Sequence, residues 1–172
     1  MTELQAAILL GQLTRLKAQT MKRQKNAAIL DKGLKNIPGI ALLKNDSRVS
    51  RRSYHMYIFR FVTEEWGRVS RETFLKALQA EGVPVGAGYP IPLYKNPIFQ
   101  KTGSGPKYCP LSCPYHGKKQ NYARTHCSNA ERICKEACWI GQTVLLAEPS
   151  DMKDIVAVIS KVWEHRKELR HA

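Results

Sequence analysis

The sequence lacks the features that would assign it to several common classes. No run approaches the roughly 20 apolar residues that a membrane-spanning helix needs, and no basic region followed by an apolar block marks a secretory signal peptide. No phosphate-binding P-loop and no Gly-x-Ser-x-Gly nucleophile motif occurs. We therefore expect no membrane partner, and the chain does not supply a complete catalytic set on its own.

Acidic residues are few. Fourteen Asp and Glu against 28 Lys and Arg give a net charge of +14, which attracts anions. The basic residues are scattered in groups at 17–25, 48–52 and 118–119, and no nucleic-acid-binding signature accompanies them. A basic nucleic-acid-binding module is kept as an alternative. We favour a basic portion that is balanced by an acidic remainder or that meets phosphorylated substrates.

The five cysteines all fall between Cys109 and Cys138. An odd number without a signal peptide indicates reduced thiols and a cytoplasmic protein. Cys109 and Cys113 are four residues apart, as are Cys134 and Cys138, and histidines lie nearby. Because this spacing is weak evidence for zinc, we predict no metal site and interpret these residues as plain cysteines. Cys134 and Cys138 would share one face of a helix predicted there.

The chain opens with a predicted helix from Thr2 to about Lys35, about 50 Å long at 1.5 Å per residue. Thr2 and Gln5 have the spacing of a capping box. Its first half is apolar on two flanks, which indicates burial between two bodies, whereas the half from Lys17 to Asn26 is polar and predicted to be solvated. We therefore divide the chain into a connecting helix, residues 1–36, and a small domain, residues 37–172.

The remainder alternates between strand and helix patterns. Strands are predicted at 39–43, 53–62, 83–85 and 143–146, and helices at 71–80, 128–138 and 151–169. Ser70 is the predicted cap of the first of these helices, Ser128 or Asn129 of the second, and Ser150 of the last. Residues 86–124 are predicted to form an irregular loop. This order predicts an α+β fold in which a small antiparallel or mixed sheet is covered by helices.

One aromatic strand pattern carries a histidine. Along residues 53–62, His55 and Tyr57 would point to one face and Tyr54, Met56 and Ile58 to the other. One face belongs to the core and the other is available to line a pocket. From the pattern alone, a packed structural histidine and a functional one are both open readings of His55.

Several ordered segments carry a resemblance to a known family. They are Met1-Thr2-Glu3-Leu4-Gln5-Ala6-Ala7, Gly11-Gln12-Leu13, Ile37-Pro38-Gly39, Tyr54-His55-Met56-Tyr57, Glu81-Gly82-Val83-Pro84, Tyr89-Pro90-Ile91-Pro92-Leu93-Tyr94, Pro97-Ile98-Phe99 and the segment from His126 to Arg132. Together they resemble DegT/StrS-type sugar aminotransferases, fold-type-I enzymes that use pyridoxal phosphate. The sequence departs from the family where Ser128 and Gly141 replace frequent prolines.

The resemblance implies that this chain is the C-terminal small domain of such an enzyme. The large domain, which binds pyridoxal phosphate and carries the Schiff-base lysine, would precede Met1. No catalytic and no cofactor-binding residue is then expected in this chain, and the isolated chain is expected to be inactive. Met1 would be an internal methionine or an artificial boundary.

The resemblance also implies the substrates and the partners. The intact enzyme would be a homodimer that transfers an amino group from glutamate or glutamine to a keto-sugar or keto-inositol. The substrate-binding residues implied in this chain are His55, Tyr57, Tyr89 and Tyr94. A non-catalytic regulatory relative with the same fold is a further alternative.

Overall fold

The computed structural model describes residues 1–100 and 121–171. Its helices and strands are α1 (Glu3–Leu34), β1 (Ile40–Leu42), β2 (Met56–Phe61), α2 (Arg71–Ala80), β3 (Val85–Ala87), α3 (Pro97–Gln100), α4 (Ser128–Glu136), β4 (Ala137–Gly141) and α5 (Pro149–Glu164). Two compact units are formed, one by Met1–Ala87 with Ala137–Ala172 and the other by Gly88–Glu136. The described helices include none that is long and apolar enough to cross a bilayer.

The four strands form one antiparallel sheet in the order β1-β2-β4-β3. In the register, Ile40 faces Phe61, Phe59 faces Cys138, and Val85 faces Ile140. Side chains along β2 alternate between half-buried and buried, as a sheet with one face on the core requires. The predicted α+β class with a small sheet and covering helices is confirmed.

The central strand β4 is the main error of the sequence prediction. A helix was expected to run through Cys138 and a strand to follow at 143–146. Instead α4 ends at Glu136, β4 begins at Ala137, and Val144–Leu146 is a 3-10 helix. Because Cys138 lies on a strand, it does not share a helical face with Cys134. No glycine or proline separates α4 from β4, and β4 is stabilised by pairing with β2 and β3, which are distant in sequence.

Helix α1 begins with the predicted capping box. The Gln5 amide donates to the Thr2 hydroxyl, and the Gln5 side chain accepts from the Thr2 amide. The prediction of a solvated half from Lys17 to Asn26 is wrong, because Thr20, Arg23 and Asn26 are buried. These three residues recur every three positions and therefore lie on one face of the helix.

The buried polar face of α1 is satisfied by backbone carbonyls. The Asn26 Nδ2 atom donates to the carbonyl oxygens of Leu145 and Ala147, at 3.0 and 2.8 Å. The Arg23 Nε atom donates to the carbonyl oxygen of Ser53 at 3.0 Å. The polar half of α1 thus docks the helix onto the segment between β4 and α5 and onto the approach to β2.

Aromatic side chains dominate the core of the sheet unit. Phe61 stacks on Phe74 with ring centroids 4.4 Å apart, and Trp66 meets Trp163 edge-on at 5.0 Å. Gly39, with a φ of +73°, lies against Trp66, and a Cβ atom there would come within 2.4 Å of the indole ring. A glycine is therefore required at this turn both by the backbone angle and by the close approach.

The helices that cover the sheet match their predicted positions to different degrees. The bounds of α2 agree with the prediction, and the Ser70 hydroxyl accepts from the Thr73 amide as its cap. Helix α5 begins earlier than expected, at Pro149, with Glu148 rather than Ser150 as its cap. It ends at Glu164, and a 3-10 helix follows at Glu168–His171.

Candidate functional site

Tyr57, one of the four predicted substrate-binding residues, is part of the core. Its side chain is 2% exposed, and its hydroxyl donates to the Asp31 Oδ1 atom at 2.7 Å. Burial, together with this hydrogen bond, raises the pKa of Tyr57 well above its usual range. The contact ties β2 to α1, so the position of Tyr57 favours a supporting role over direct contact with a ligand.

His55 lies just outside the strand on which it was predicted. It occupies an exposed bend, and β2 begins at the next residue. The preceding Tyr54 has a φ of +50°, which is uncommon for a residue with a side chain. The hydrogen bond from the buried Arg23 side chain to the Ser53 carbonyl fixes the backbone just before this bend. His55 therefore presents an exposed imidazole between two fixed parts of the backbone, the Ser53 carbonyl and the start of β2.

Tyr89 and Tyr94, the other two predicted residues, lie in the Gly88–Glu136 unit. Tyr89 is 72% exposed. Tyr94 is half-buried on a 3-10 turn, Leu93–Lys95, and its hydroxyl donates to the Glu131 Oε1 atom and accepts from the Cys127 amide at 3.3 Å. Because the single O–H of Tyr94 is used by Glu131, its ring is the part that is available to a ligand.

Glu131 joins three side chains of this second unit, beginning with Tyr94. Its Oε1 atom also lies 2.8 Å from the Lys95 Nζ atom and 3.1 Å from the His126 Nδ1 atom. Hydrogen bonds from Lys95 and then Tyr94 lower the pKa of Glu131 to about 2. The same contacts raise the pKa of the Lys95 ammonium. We refer to Tyr94, Lys95, His126 and Glu131 as the Glu131 cluster.

Glu131 was not among the site residues predicted from the sequence. The segment from His126 to Arg132 contributed to the family resemblance, but its acidic residue was not recognised as a partner of Tyr94, which lies 37 residues earlier. The available signal was an isolated carboxylate in the first turn of a helix, where the helix dipole favours negative charge. The four predicted residues fall into two pairs, one in each unit.

The cysteines are interpreted above as plain thiols, and no metal site is predicted among them. Cys127 is exposed, Cys134 is half-buried, and burial raises the pKa of the Cys138 thiol to about 12. Across 1–100 and 121–171, no group of three metal-ligating side chains occurs. Cys109 and Cys113 lie outside the described residues.

Two curated relatives from Micromonospora echinospora match nearly the whole chain. One has a provisional name, L-glutamine:3-amino-2,3-dideoxy-scyllo-inosose aminotransferase, and is 36% identical over 95% of this chain. The other, L-glutamine:2-deoxy-scyllo-inosose aminotransferase, is 32% identical over 99%. The chain spans 39% of the length of each relative.

Two solved structures superpose on this chain and support the fold described above. The crystal structure of 3-amino-5-hydroxybenzoic acid synthase superposes with a TM-score of 0.69 at 26% identity, over 91% of this chain and 37% of that one. The Helicobacter pylori aminotransferase PseC superposes with the same TM-score at 17% identity, over 96% of this chain and 38% of that one, and supports the fold alone. Residues 1–160 match the profile of the DegT/DnrJ/EryC1/StrS aminotransferases. The chain belongs to that family.

Proposed function

We propose that this chain is the substrate-side, C-terminal portion of a pyridoxal-phosphate-dependent aminotransferase. In the intact enzyme it would help to transfer an amino group from glutamine or glutamate to a keto-inositol or keto-sugar. The observation that carries this proposal is the similarity of the chain, over 95–99% of its length, to aminotransferases named for glutamine and inososes. The nucleic-acid-binding alternative gains no support from these relatives.

The cofactor would be held mainly by the rest of the protein. Bound pyridoxal phosphate would supply the chemistry that carries the amino group between donor and acceptor. The lysine that holds it must be able to lose its proton, whereas Lys95 is 50% exposed and its pKa is raised by Glu131. Lys95 therefore does not fit a Schiff-base role.

Within this chain, we propose that exposed groups meet the substrate and buried groups support them. His55 would present its imidazole to the substrate from a fixed bend. Tyr89 and the ring of Tyr94 would contact the sugar or inositol ring. Tyr57 would act indirectly, by holding β2 to α1 through Asp31. This assignment of roles rests on the exposure of each side chain and on the hydrogen bonds described above.

The first half of α1 would pack against the remainder of the enzyme and against a second subunit. Leu4, Leu10 and Leu13 are 74%, 66% and 60% exposed in this chain. Burial of such side chains contributes about 1.5–3 kcal/mol each, so uncovered leucines on two flanks of the helix favour association. A homodimer in the cytoplasm is part of this proposal, and the exposed thiol of Cys127 agrees with a reducing compartment.

The proposal can be tested with a hybrid enzyme. Residues 1–160 of this chain would replace the matching segment of the L-glutamine:2-deoxy-scyllo-inosose aminotransferase from Micromonospora echinospora. We expect the hybrid to bind pyridoxal phosphate, with a visible absorbance band, and to aminate an inosose at the expense of glutamine. A hybrid that binds the cofactor but aminates neither inososes nor keto-sugars would contradict the proposal.

The isolated chain provides the complementary measurement. Mixed with pyridoxal phosphate, it should give no stable absorbance band that glutamate or glutamine discharges. Such a band, formed by this chain alone, would show that the cofactor-binding lysine lies within the 172 residues. That result would refute the proposed division of labour while leaving the family assignment intact.

A further inference from the structure

The Glu131 cluster joins parts of the chain that are far apart in sequence. Tyr94 and Lys95 lie on a 3-10 turn, His126 precedes α4, and Glu131 lies in the first turn of α4. Three side chains converge on a single carboxylate oxygen, the Oε1 atom of Glu131. The Glu131 side chain is the least exposed of the ion-pairing groups, at 23% against 50% for Lys95 and 71% for His126.

The low pKa of the Glu131 carboxyl argues against a role as a base and favours a role as a hydrogen-bond acceptor. A group with a pKa of about 2 is ionised at neutral pH and is a very weak base, so Glu131 is not suited to remove a proton from a substrate. A permanently charged acceptor is instead well suited to hold donors in place, because hydrogen bonds to a charged group are the strong ones. Two of the three groups that Glu131 holds, Tyr94 and Lys95, belong to one turn, and His126 precedes α4.

We propose that Glu131 is a positioning residue, which fixes the Tyr94 ring and the Lys95 turn in the arrangement that meets the keto substrate. This inference rests on the proposed function. Glu131 acts through Tyr94 and Lys95 and does not itself touch the substrate. A ring contact between Phe99 and Tyr122, with centroids 5.6 Å apart, supports the same unit at a second point.

The test uses the hybrid enzyme described above with single substitutions. Glu131→Leu removes the acceptor, Glu131→Gln keeps an accepting oxygen without the charge, and Tyr94→Phe removes only the hydroxyl. Glu72→Leu is the matched control, because Glu72 also lies in the first turn of a helix and pairs with a lysine, Lys76, at 3.0 Å, but is 77% exposed. Circular dichroism and thermal melting verify that each variant is folded.

We expect Glu131→Leu to lower kcat/KM for the keto substrate by about 10- to 100-fold, since misplacement by about 1 Å can cost about 10²-fold. Glu131→Gln should recover part of the loss, and Glu72→Leu should change nothing beyond twofold. If Glu131 acts through Tyr94, the effects of Glu131→Leu and Tyr94→Phe are not additive in the double variant. The kcat/KM for glutamine should fall less than that for the keto substrate.

The outcomes separate the two proposals. An unsubstituted hybrid that binds the cofactor without transferring an amino group removes the proposed function and this inference with it. An active hybrid in which folded Glu131→Leu keeps kcat/KM for the keto substrate within twofold overturns the positioning role alone. Equal losses for both substrates, with additive effects of the two substitutions, would show a general structural role and would also overturn it.

Discussion

Asn26 provides the sharpest test of how α1 is attached to the rest of its unit. The side chain is 1% exposed, and both N–H groups of its amide are used by the carbonyls of Leu145 and Ala147. Asn26→Ala removes two hydrogen bonds and leaves two shielded carbonyls without this donor. With about 0.5–1.5 kcal/mol for each bond and about 1–3 kcal/mol for a buried group that stays unsatisfied, we expect a loss of about 2–4 kcal/mol.

The assay is urea unfolding of the whole chain, followed by tryptophan fluorescence, because Trp66 lies in the core of the same unit and Trp163 packs against it. With a slope of about 2 kcal/mol per molar urea, the midpoint should fall by about 1–2 M. The exposed Asn45→Ala is the matched control and should stay within about 0.5 kcal/mol of the parent chain. If Asn26→Ala unfolds at the same urea concentration as that control, the proposed attachment is wrong.

Asn26→Asp adds a pH test to the same site. Burial against two carbonyl oxygens disfavours a carboxylate, so the pKa of the new side chain should be raised in the folded state above its unfolded value of about 3.9. A group with a raised folded pKa is best tolerated while it is protonated, and stability falls as the pH rises through the folded pKa. Asn26→Asp should therefore be less destabilised at pH 4 than at pH 7, whereas Asn26→Ala should lose similar amounts at both.

Three further predictions follow from single features. Gly39→Ala should lower the melting temperature, because a Cβ atom would meet the Trp66 ring at a φ of +73°, whereas Gly11→Ala, with nothing within 4 Å, should be neutral or stabilising. The carboxyl of Glu131 has a lowered folded pKa, so its stabilising contribution should be present above the unfolded pKa of about 4.3 and lost as the pH falls towards 2, as NMR titration of the side chain can show. The chain should self-associate at micromolar concentrations in sedimentation velocity, and Leu13→Glu should reduce that association.

Local signals in the sequence identified most of the helices. Ser70 and the apolar spacing after it predicted α2 with the bounds that the structure shows, because a cap and a stripe are properties of neighbouring residues. The capping box of α1 was predicted for the same reason. In contrast, β4 depends on pairing with β2 and β3, and the prediction of a helix through Cys138 failed because those partners lie far away in sequence.

The polar half of α1 shows a second limit of sequence patterns. A helical segment rich in Lys, Arg, Gln and Asn was read as solvated, yet Thr20, Arg23 and Asn26 are buried on one face. Their partners are the side chain of a neighbouring residue and backbone carbonyls of distant segments, which no periodicity of apolar residues reveals. Polar residues that recur every three positions within a helix therefore merit the same attention as apolar ones.

The candidate site was only partly predictable. The resemblance to the family selected His55, Tyr57, Tyr89 and Tyr94, of which two are exposed, Tyr94 is half-buried and Tyr57 is a core residue. Glu131 was missed because its importance arises from three contacts made in space. The roles of all five residues in substrate binding are proposals that the kinetic experiments address.

The most direct test of the central claim is the transfer of nitrogen itself. The hybrid that contains residues 1–160 would be supplied with pyridoxal phosphate, glutamine labelled with ¹⁵N at its α-amino group, and 2-deoxy-scyllo-inosose. We expect a ¹⁵N-labelled amino-inositol that forms only when this segment is present. A hybrid that binds the cofactor and glutamine but leaves the label on glutamine, with inososes and with keto-sugars alike, would contradict the claim that this chain is the substrate-side portion of an aminotransferase.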